Sequence, residues 1–181
     1  MVERVLLCYG TRYGTTAEAA QEMSKAIQEL GIRVDLVNLK KGPPSDPLHE
    51  YDLVIVGSGI QAGRWTKEPL NFISHNADAL AKIKVALFVV CGSAGSPDAC
   101  QEAQTEYLDK IAASYPSLNV ISTGLFGGVF DFKKYNFALR TLVRSIVKKQ
   151  MQGNEVPEVV DFRDLGKVRA WAAGLVRDAN S

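Results

Sequence analysis

Short apolar runs alternate with longer stretches of helical periodicity along this chain. RVLLCY (4–9) precedes a helical pattern from about Thr16 to Leu30, and RVDLVNL (33–39) leads into the Pro-rich GPPSDP (42–47). YDLVIVGS (51–58) precedes a pattern from about Trp65 to Leu80, and VALFVVCGS (85–93) one from about Pro97 to Tyr115. NVISTGLFGG (119–128) is followed by a pattern from about Tyr135 to Gln150, and a last one runs from about Asp164 to Arg177. The first helix places Ala20, Met23, Ile27 and Leu30 on one face, as packing on a sheet requires, and Gly31 stops it. LVIVG and VALFVVC are continuously apolar, the pattern of strands buried on both faces. Five such strands separated by helices predict an α/β fold, a doubly wound five-stranded parallel sheet with helices on both faces. The whole chain, 1–181, reads as a single domain with a basic helical insertion at about 130–157.

In open parallel sheets ligands bind beyond the carboxyl ends of the strands, near the switch in strand order. Three loops rich in glycine and small polar residues fall there. In the first, GTRYGTT (10–16), a strand turns into a helix whose N-terminal N–H groups attract an anion. Thr11, Thr15 and Thr16 add hydroxyls, Arg12 adds charge, and Gly10 and Gly14 permit close approach, a combination suited to a terminal phosphate. The alternative is that Thr15 or Thr16 simply caps the helix. No Gly-Lys-Ser/Thr is present, which excludes a triphosphate loop of the usual kind. The second loop, GSGIQAGRW (57–65), fits the spacing G-x-G-x-x-A but follows the third apolar run, where a dinucleotide turn is not expected. It reads instead as a loop along one edge of a planar ligand, with Trp65 either over that ligand or packed at the start of a helix. The third loop, CGSAGSP (91–97), would approach the ligand's other side through Cys91, Gly92, Ser93 and Gly95.

Charge and cysteine content narrow the classes. A formal net charge of +1 gives no global attraction to nucleic acid. Cys8, Cys91 and Cys100 lack paired spacing and read as buried or free thiols of a reducing cytosol. Without a signal-like start or a run of about 20 apolar residues, the expected location is cytoplasmic, with contact at a membrane surface left open. His49 and His75 lack metal-ligand spacing and read as surface residues, so no metal is expected. The insertion's segment 133–149, KKYNFALRTLVRSIVKK, carries six basic residues and no acid. Arg140, Arg144 and Lys148 share one helical face there, opposite Leu139, Val143 and Ile146. Such a helix suits an anionic membrane surface, where a quinone would be found, an acidic partner, or packing on its own domain.

Strand, then Thr11-Arg12-Tyr13-Gly14-Thr15-Thr16, then helix resembles the phosphate loop of flavodoxins, which hold FMN. VIVGSGIQAGRW and FRDLGKVRAWA resemble the flavodoxin-like branch that contains menaquinone-dependent protoporphyrinogen oxidase. The resemblance implies strand order 2-1-3-4-5 and one non-covalent FMN. It implies phosphate contacts from Thr11, Arg12, Tyr13, Gly14, Thr15 and Thr16. It implies ring contacts from Ser58, Gly59, Ile60, Gln61, Ala62, Gly63, Arg64 and Trp65, and from Cys91, Gly92, Ser93, Ala94 and Gly95. Flavodoxin carriers are strongly acidic and carry an acid and an aromatic in the third loop. This chain is near neutral and reads Cys-Gly-Ser-Ala-Gly there, which turns the reading towards an FMN-dependent oxidoreductase with a small-molecule substrate and a quinone or protein acceptor. The alternatives are an electron carrier serving a redox protein and a flavin-free binding module. No side chain stands out as an acid–base catalyst, and Arg64 and Lys67 beside the ring would raise a flavin's potential.

Overall fold

The computed structural model describes residues 1–95, 97–151 and 155–181. Five parallel strands make the central sheet: β1 (Arg4–Gly10), β2 (Arg33–Asn38), β3 (Leu53–Gln61), β5 (Lys84–Cys91) and β6 (Asn119–Gly127). Their spatial order is β2-β1-β3-β5-β6, the expected second-first-third-fourth-fifth order of a flavodoxin-like doubly wound sheet. A two-residue strand, β4 (Arg64–Trp65), pairs antiparallel with the end of β3.

Because side chains alternate across a sheet, each apolar strand feeds two cores. Val5, Leu7 and Tyr9 of β1 join Leu53, Ile55 and Phe88 beneath α1 (Thr15–Gln28) and α7 (Leu165–Asn180). Leu6, Cys8, Val54, Val56, Leu87 and Val89 face the other layer, α2 (Lys67–His75), α3 (Ala77–Leu80), α4 (Pro97–Gln104) and α5 (Lys110–Ser114). Full burial of a Leu, Val or Phe side chain contributes about 1.5–3 kcal/mol, which makes these doubly covered strands the main source of stability. Ion pairs bind the helical layer: Arg169 of α7 holds Glu22 at 3.2 Å and Glu29 at 2.6 Å on and just after α1.

Several expected boundaries move, each for a local reason. The first helix ends at Gln28, so Leu30 lies beyond it and is 49 % exposed rather than packed on the sheet. The expected helix from Trp65 begins only at Lys67, because Arg64 and Trp65 pair with Gln61 and Ile60. It breaks at Asn76, whose side-chain amide donates to the Phe72 carbonyl at 2.8 Å. The helix from Pro97 is interrupted at Thr105–Asp109 by a wider turn, within which the Tyr107 carbonyl accepts the Trp65 indole N–H at 2.6 Å.

After β6 the chain builds a small unit of its own. β7 (Val129–Asp131) and β8 (Val159–Asp161) pair antiparallel, with α6 (Phe137–Gln150) between them in sequence. Phe132, Val147, Val156 and Val160 form its core. Residues 152–154 of the expected insertion, and the side chains of Leu139 and Ile146, lie outside what is described. The unit is stitched to the sheet at its base: Gly128 N–H donates to the Cys91 carbonyl at 3.1 Å, and Phe162 N–H to the Gly128 carbonyl at 3.0 Å. Among the described residues no helix is long and apolar enough to cross a membrane.

Candidate functional site

A cleft opens at the carboxyl ends of β1, β3 and β5, where the three loops meet. On its first side the chain leaves β1 at Gly10 and enters α1 through Gly14, which sits at the N-cap position with φ of 98°. That left-handed conformation favours glycine. No side chain caps the helix, so neither Thr15 nor Thr16 plays the capping role. The first-turn N–H groups are left for another acceptor. Thr11 folds back instead, its hydroxyl accepting the Gly14 N–H at 3.1 Å. Thr16 is buried, with its hydroxyl against Gly59 of the second loop. Helix dipole, unpaired N–H groups and hydroxyls thus converge where an anion of phosphate type fits.

The second side is a hairpin. β3 runs on to Gln61, turns through Ala62 (φ 48°) and Gly63 (φ 73°), and returns as β4. Two consecutive left-handed residues make the tight turn that matches strand twist. Ser58 locks its base: buried, it accepts the Thr66 N–H at 2.9 Å and donates to the Gly59 carbonyl at 2.8 Å. Gly59, Ile60, Gln61 and Ala62 line the cleft; Ser58 holds them in place from behind. Trp65 packs in the core with Leu87 and Leu108, so of its two expected roles the structure shows packing. Gly63 and Arg64 sit at and beyond the turn, outside the cleft wall.

On the third side Cys91 and Gly92 line the cleft, and the chain runs on through Ser93 and Ala94 in a tight helical turn, Gly92–Gly95. Burial pushes the Cys91 thiol up to about 11, which leaves it protonated and inert at neutral pH.

The sequence reading missed the fourth side, supplied by the insertion. Val129, Phe130, Tyr135 and Val143 line the cleft opposite the hairpin, and Thr66, Val90 and Gly128 complete it. A side chain at Gly92 would collide with the Phe130 ring, so that ring lies directly on the third loop. Tyr135 meets Tyr13 of the first loop edge to face, with ring centroids 5.1 Å apart, and the Arg12 guanidinium lies 5.7 Å from the Tyr13 ring. Burial pushes the Tyr135 hydroxyl above its usual range. The sequence signal for this wall is the aromatic run Phe130, Phe132 and Tyr135, which shows no periodicity and lies just before the basic residues.

Those basic residues are partly engaged. Arg144 donates to the Val156 carbonyl at 2.7 Å and lies over the Phe132 ring, and Arg140 pairs with Glu158 at 3.1 Å. Among the described residues of α6, Phe137 and Leu142 are exposed apolar side chains. His49 and His75 are exposed, as expected.

Comparison with known proteins places this architecture. The flavodoxin-domain family matches residues 6–156, and the chain belongs to that family. A protoporphyrinogen IX dehydrogenase [quinone] of Leishmania major is 25% identical over 171 residues, 94% of this chain and 73% of that protein. One of Escherichia coli K12 is 25% identical over 170 residues, 93% of this chain and 92% of its own. Oxidised flavodoxin 1 of Bacillus cereus shares the fold with a TM-score of 0.58 at 16% identity, covering 97% of this chain and 98% of its own. The donor set of the first loop and the slot between the second and third loops fit FMN, the cofactor that the resemblance to flavodoxins implies.

Proposed function

We propose that this flavodoxin-domain chain is an FMN-dependent oxidoreductase that oxidises a small organic substrate and passes the electrons to a quinone, in the manner named for its relatives from Leishmania major and Escherichia coli. Bound FMN supplies the redox chemistry; the protein positions it and sets its surroundings. Thr11, Thr15, Thr16 and the α1 N-terminus would hold the phosphate, with Arg12 and Tyr13 beside it. Main-chain groups of Gly59–Ala62 and of Cys91–Gly92 would meet the edges of the ring.

One observation carries the choice of an enzyme over a carrier. Val129, Phe130, Tyr135 and Val143 line the cleft with largely apolar surface from the insertion, against which the body of an organic molecule would pack. A carrier that meets a redox protein needs that edge open. Contact of α6 with an anionic membrane surface belongs to the same proposal. Phe137 and Leu142 stand exposed on that helix, with Lys133 and Lys134 exposed just before it. Binding to anionic vesicles that salt does not reverse would require more than those charges, and no binding at moderate salt removes the membrane part.

The test is a titration of the purified protein with FMN, followed by stepwise reduction watched in the visible spectrum. The expected result is bound flavin that is reduced in one two-electron step and reoxidised by a quinone. Two well-separated one-electron steps, with no turnover of small donors, would make the chain a carrier. Protein that ignores FMN would leave only a binding module.

A further inference from the structure

Between the first loop and the insertion lies a small hollow of about 80 Å³. Tyr13, Thr15 and Glu18 border it from the sheet, and Tyr135 and, just after β8, Arg163 border it from the other side. Two contacts cross it. One is the edge-to-face meeting of Tyr13 and Tyr135. The other is ionic. Arg163 grips Asp161 of β8 as a fork, through Nε at 2.9 Å and one terminal nitrogen at 2.6 Å, and its other terminal nitrogen donates to Glu18. Asp161, Arg163 and Glu18 thus form a chain of charge from the ribbon to α1. Both anchors on the sheet side are set by the turn at Gly14: Tyr13 precedes it, and the Glu18 N–H donates to the Gly14 carbonyl at 3.1 Å. That turn carries first-turn N–H groups with no side-chain cap. An anion that takes those N–H groups fixes the turn, and with it the two anchors. Glu18 also sits in the first turn of α1, where its charge opposes a second anion, and Arg163 neutralises it.

We propose that Arg163 is a positioning residue that couples the phosphate of FMN to the insertion. With phosphate in the first loop, the chain Asp161–Arg163–Glu18 and the Tyr13–Tyr135 contact hold the insertion's wall against the cleft. This coupling rests on the reading above that the first loop takes the cofactor's phosphate, and it holds for any substrate. Arg163 acts through Glu18 and the turn rather than by touching the cofactor. Coupling of this kind is reciprocal. Phosphate favours the docked insertion, and the docked insertion favours a flavin that carries a phosphate over one that does not. Arg169 supplies the contrast. It ties α7 to Glu22 and Glu29 further along α1, and so braces the helical layer without reaching the turn.

The test is amide hydrogen exchange of the purified full chain, read in β7 and β8. Inorganic phosphate, FMN or riboflavin is added, each against sodium chloride of equal ionic strength. Phosphate alone is expected to slow exchange in both strands. FMN should slow it about tenfold more than riboflavin does, within the usual range of coupling between sites. R163Q should abolish the slowing by phosphate and weaken FMN about threefold, the worth of one partly exposed ion pair. R169Q, which removes the cation held by Glu22 and Glu29, should change neither. Exchange untouched by phosphate, equal protection by riboflavin and FMN, or the same losses in R169Q overturns the proposal. So does an R163Q chain whose strands exchange faster by one factor with and without phosphate, since Arg163 would then only stabilise the ribbon. FMN loading is read separately by absorbance. A chain that fails to load FMN sinks the oxidoreductase reading, whereas loaded FMN without phosphate-dependent protection sinks only this inference.

Discussion

The sheet and the insertion solve the same problem with different resources. In the sheet, Leu7, Ile55 and Phe88 are fully buried within strands covered on both faces, and each strand is held by neighbours on one or both sides. In the insertion, four side chains among the described residues form the core, the ribbon has two strands of three residues each, and Phe137 on its helix is 86 % exposed. A two-stranded ribbon is marginal without packing, so the insertion depends on Phe132 inside and on Phe130 and Tyr135 against the loops. The sheet supplies rigid loop ends that suit an anion; the insertion supplies the apolar wall. A site built this way has one firm side and one that can open at lower cost.

The largest effect that separates the two regions is core truncation. Phe88→Ala is expected to cost about 3–5 kcal/mol of global stability, because a large ring leaves a cavity in a core that cannot collapse. Phe132→Ala removes a ring of the same size, yet its loss is expected to open 129–161 while the sheet keeps its cooperative transition. Hydrogen exchange distinguishes them: Phe132→Ala should speed exchange in β7, α6 and β8 and leave β1, β3 and β5 protected. If both variants lower the sheet's transition equally, the insertion is an integral part of one core.

Docking comes next. Gly92→Ala places a methyl where the Phe130 ring lies, and the ring is the part that moves. Overpacking of this kind costs about 1–3 kcal/mol. The insertion should lift from the third loop, exposing 133–149 to proteolysis and weakening FMN binding, with little change in the sheet's melting temperature. Unchanged protease resistance would mean that the Gly128–Cys91 hydrogen bond and the Tyr13–Tyr135 pair suffice to hold the insertion.

This contrast also explains what the sequence disclosed. LVIVG and VALFVVC announce strands because their apolar runs are a direct record of burial on two faces. The first loop was legible because hydroxyls and glycines at a strand–helix turn have few other uses. The insertion's wall was not, because Phe130 and Tyr135 are separated by only a few residues, show no periodicity, and owe their place to contacts with Gly92 and Tyr13, far away in the chain. Trp65 was ambiguous for the same reason. Its packed position depends on the Tyr107 carbonyl, presented by a widened helical turn that no local pattern signals.

Acid should sharpen the comparison. In the sheet, Asp52 accepts N–H groups of Glu3 at 2.8 Å and Arg4 at 2.9 Å, and these bonds hold its carboxyl below the usual range. In the insertion's ribbon, hydrogen bonding by the Arg163 guanidinium does the same for Asp161. Both folded values lie below the unfolded one, so each contribution is present above the ordinary carboxylate value of about 3.9 and is lost as pH falls through the lowered folded value. Asp52→Asn should flatten the acid limb of sheet unfolding, whereas Asp161→Asn should flatten that of insertion opening alone. Denaturation across pH 7 to 2, followed by tryptophan fluorescence for the sheet and exchange for the ribbon, measures both.

The smallest effect concerns the hairpin on the firm side of the cleft. Ala62 holds φ of 48°, a conformation that costs an L-residue about 1 kcal/mol relative to glycine. Ala62→Gly should therefore stabilise the protein by about 0.5–1 kcal/mol, and Gly63→Ala, at φ of 73°, should destabilise it by a similar amount. The Ala62 methyl also lines the cleft. If it contacts the cofactor, its removal should weaken FMN about threefold, the worth of one partly buried methyl. Greater stability with weaker FMN binding would mean that the strain is kept for the site, on the side of the cleft where the sheet has stability to spare. Greater stability with unchanged binding would leave the methyl without a role in the cleft, and would shift the weight of ring recognition to main-chain groups of the hairpin and to the insertion's aromatic wall.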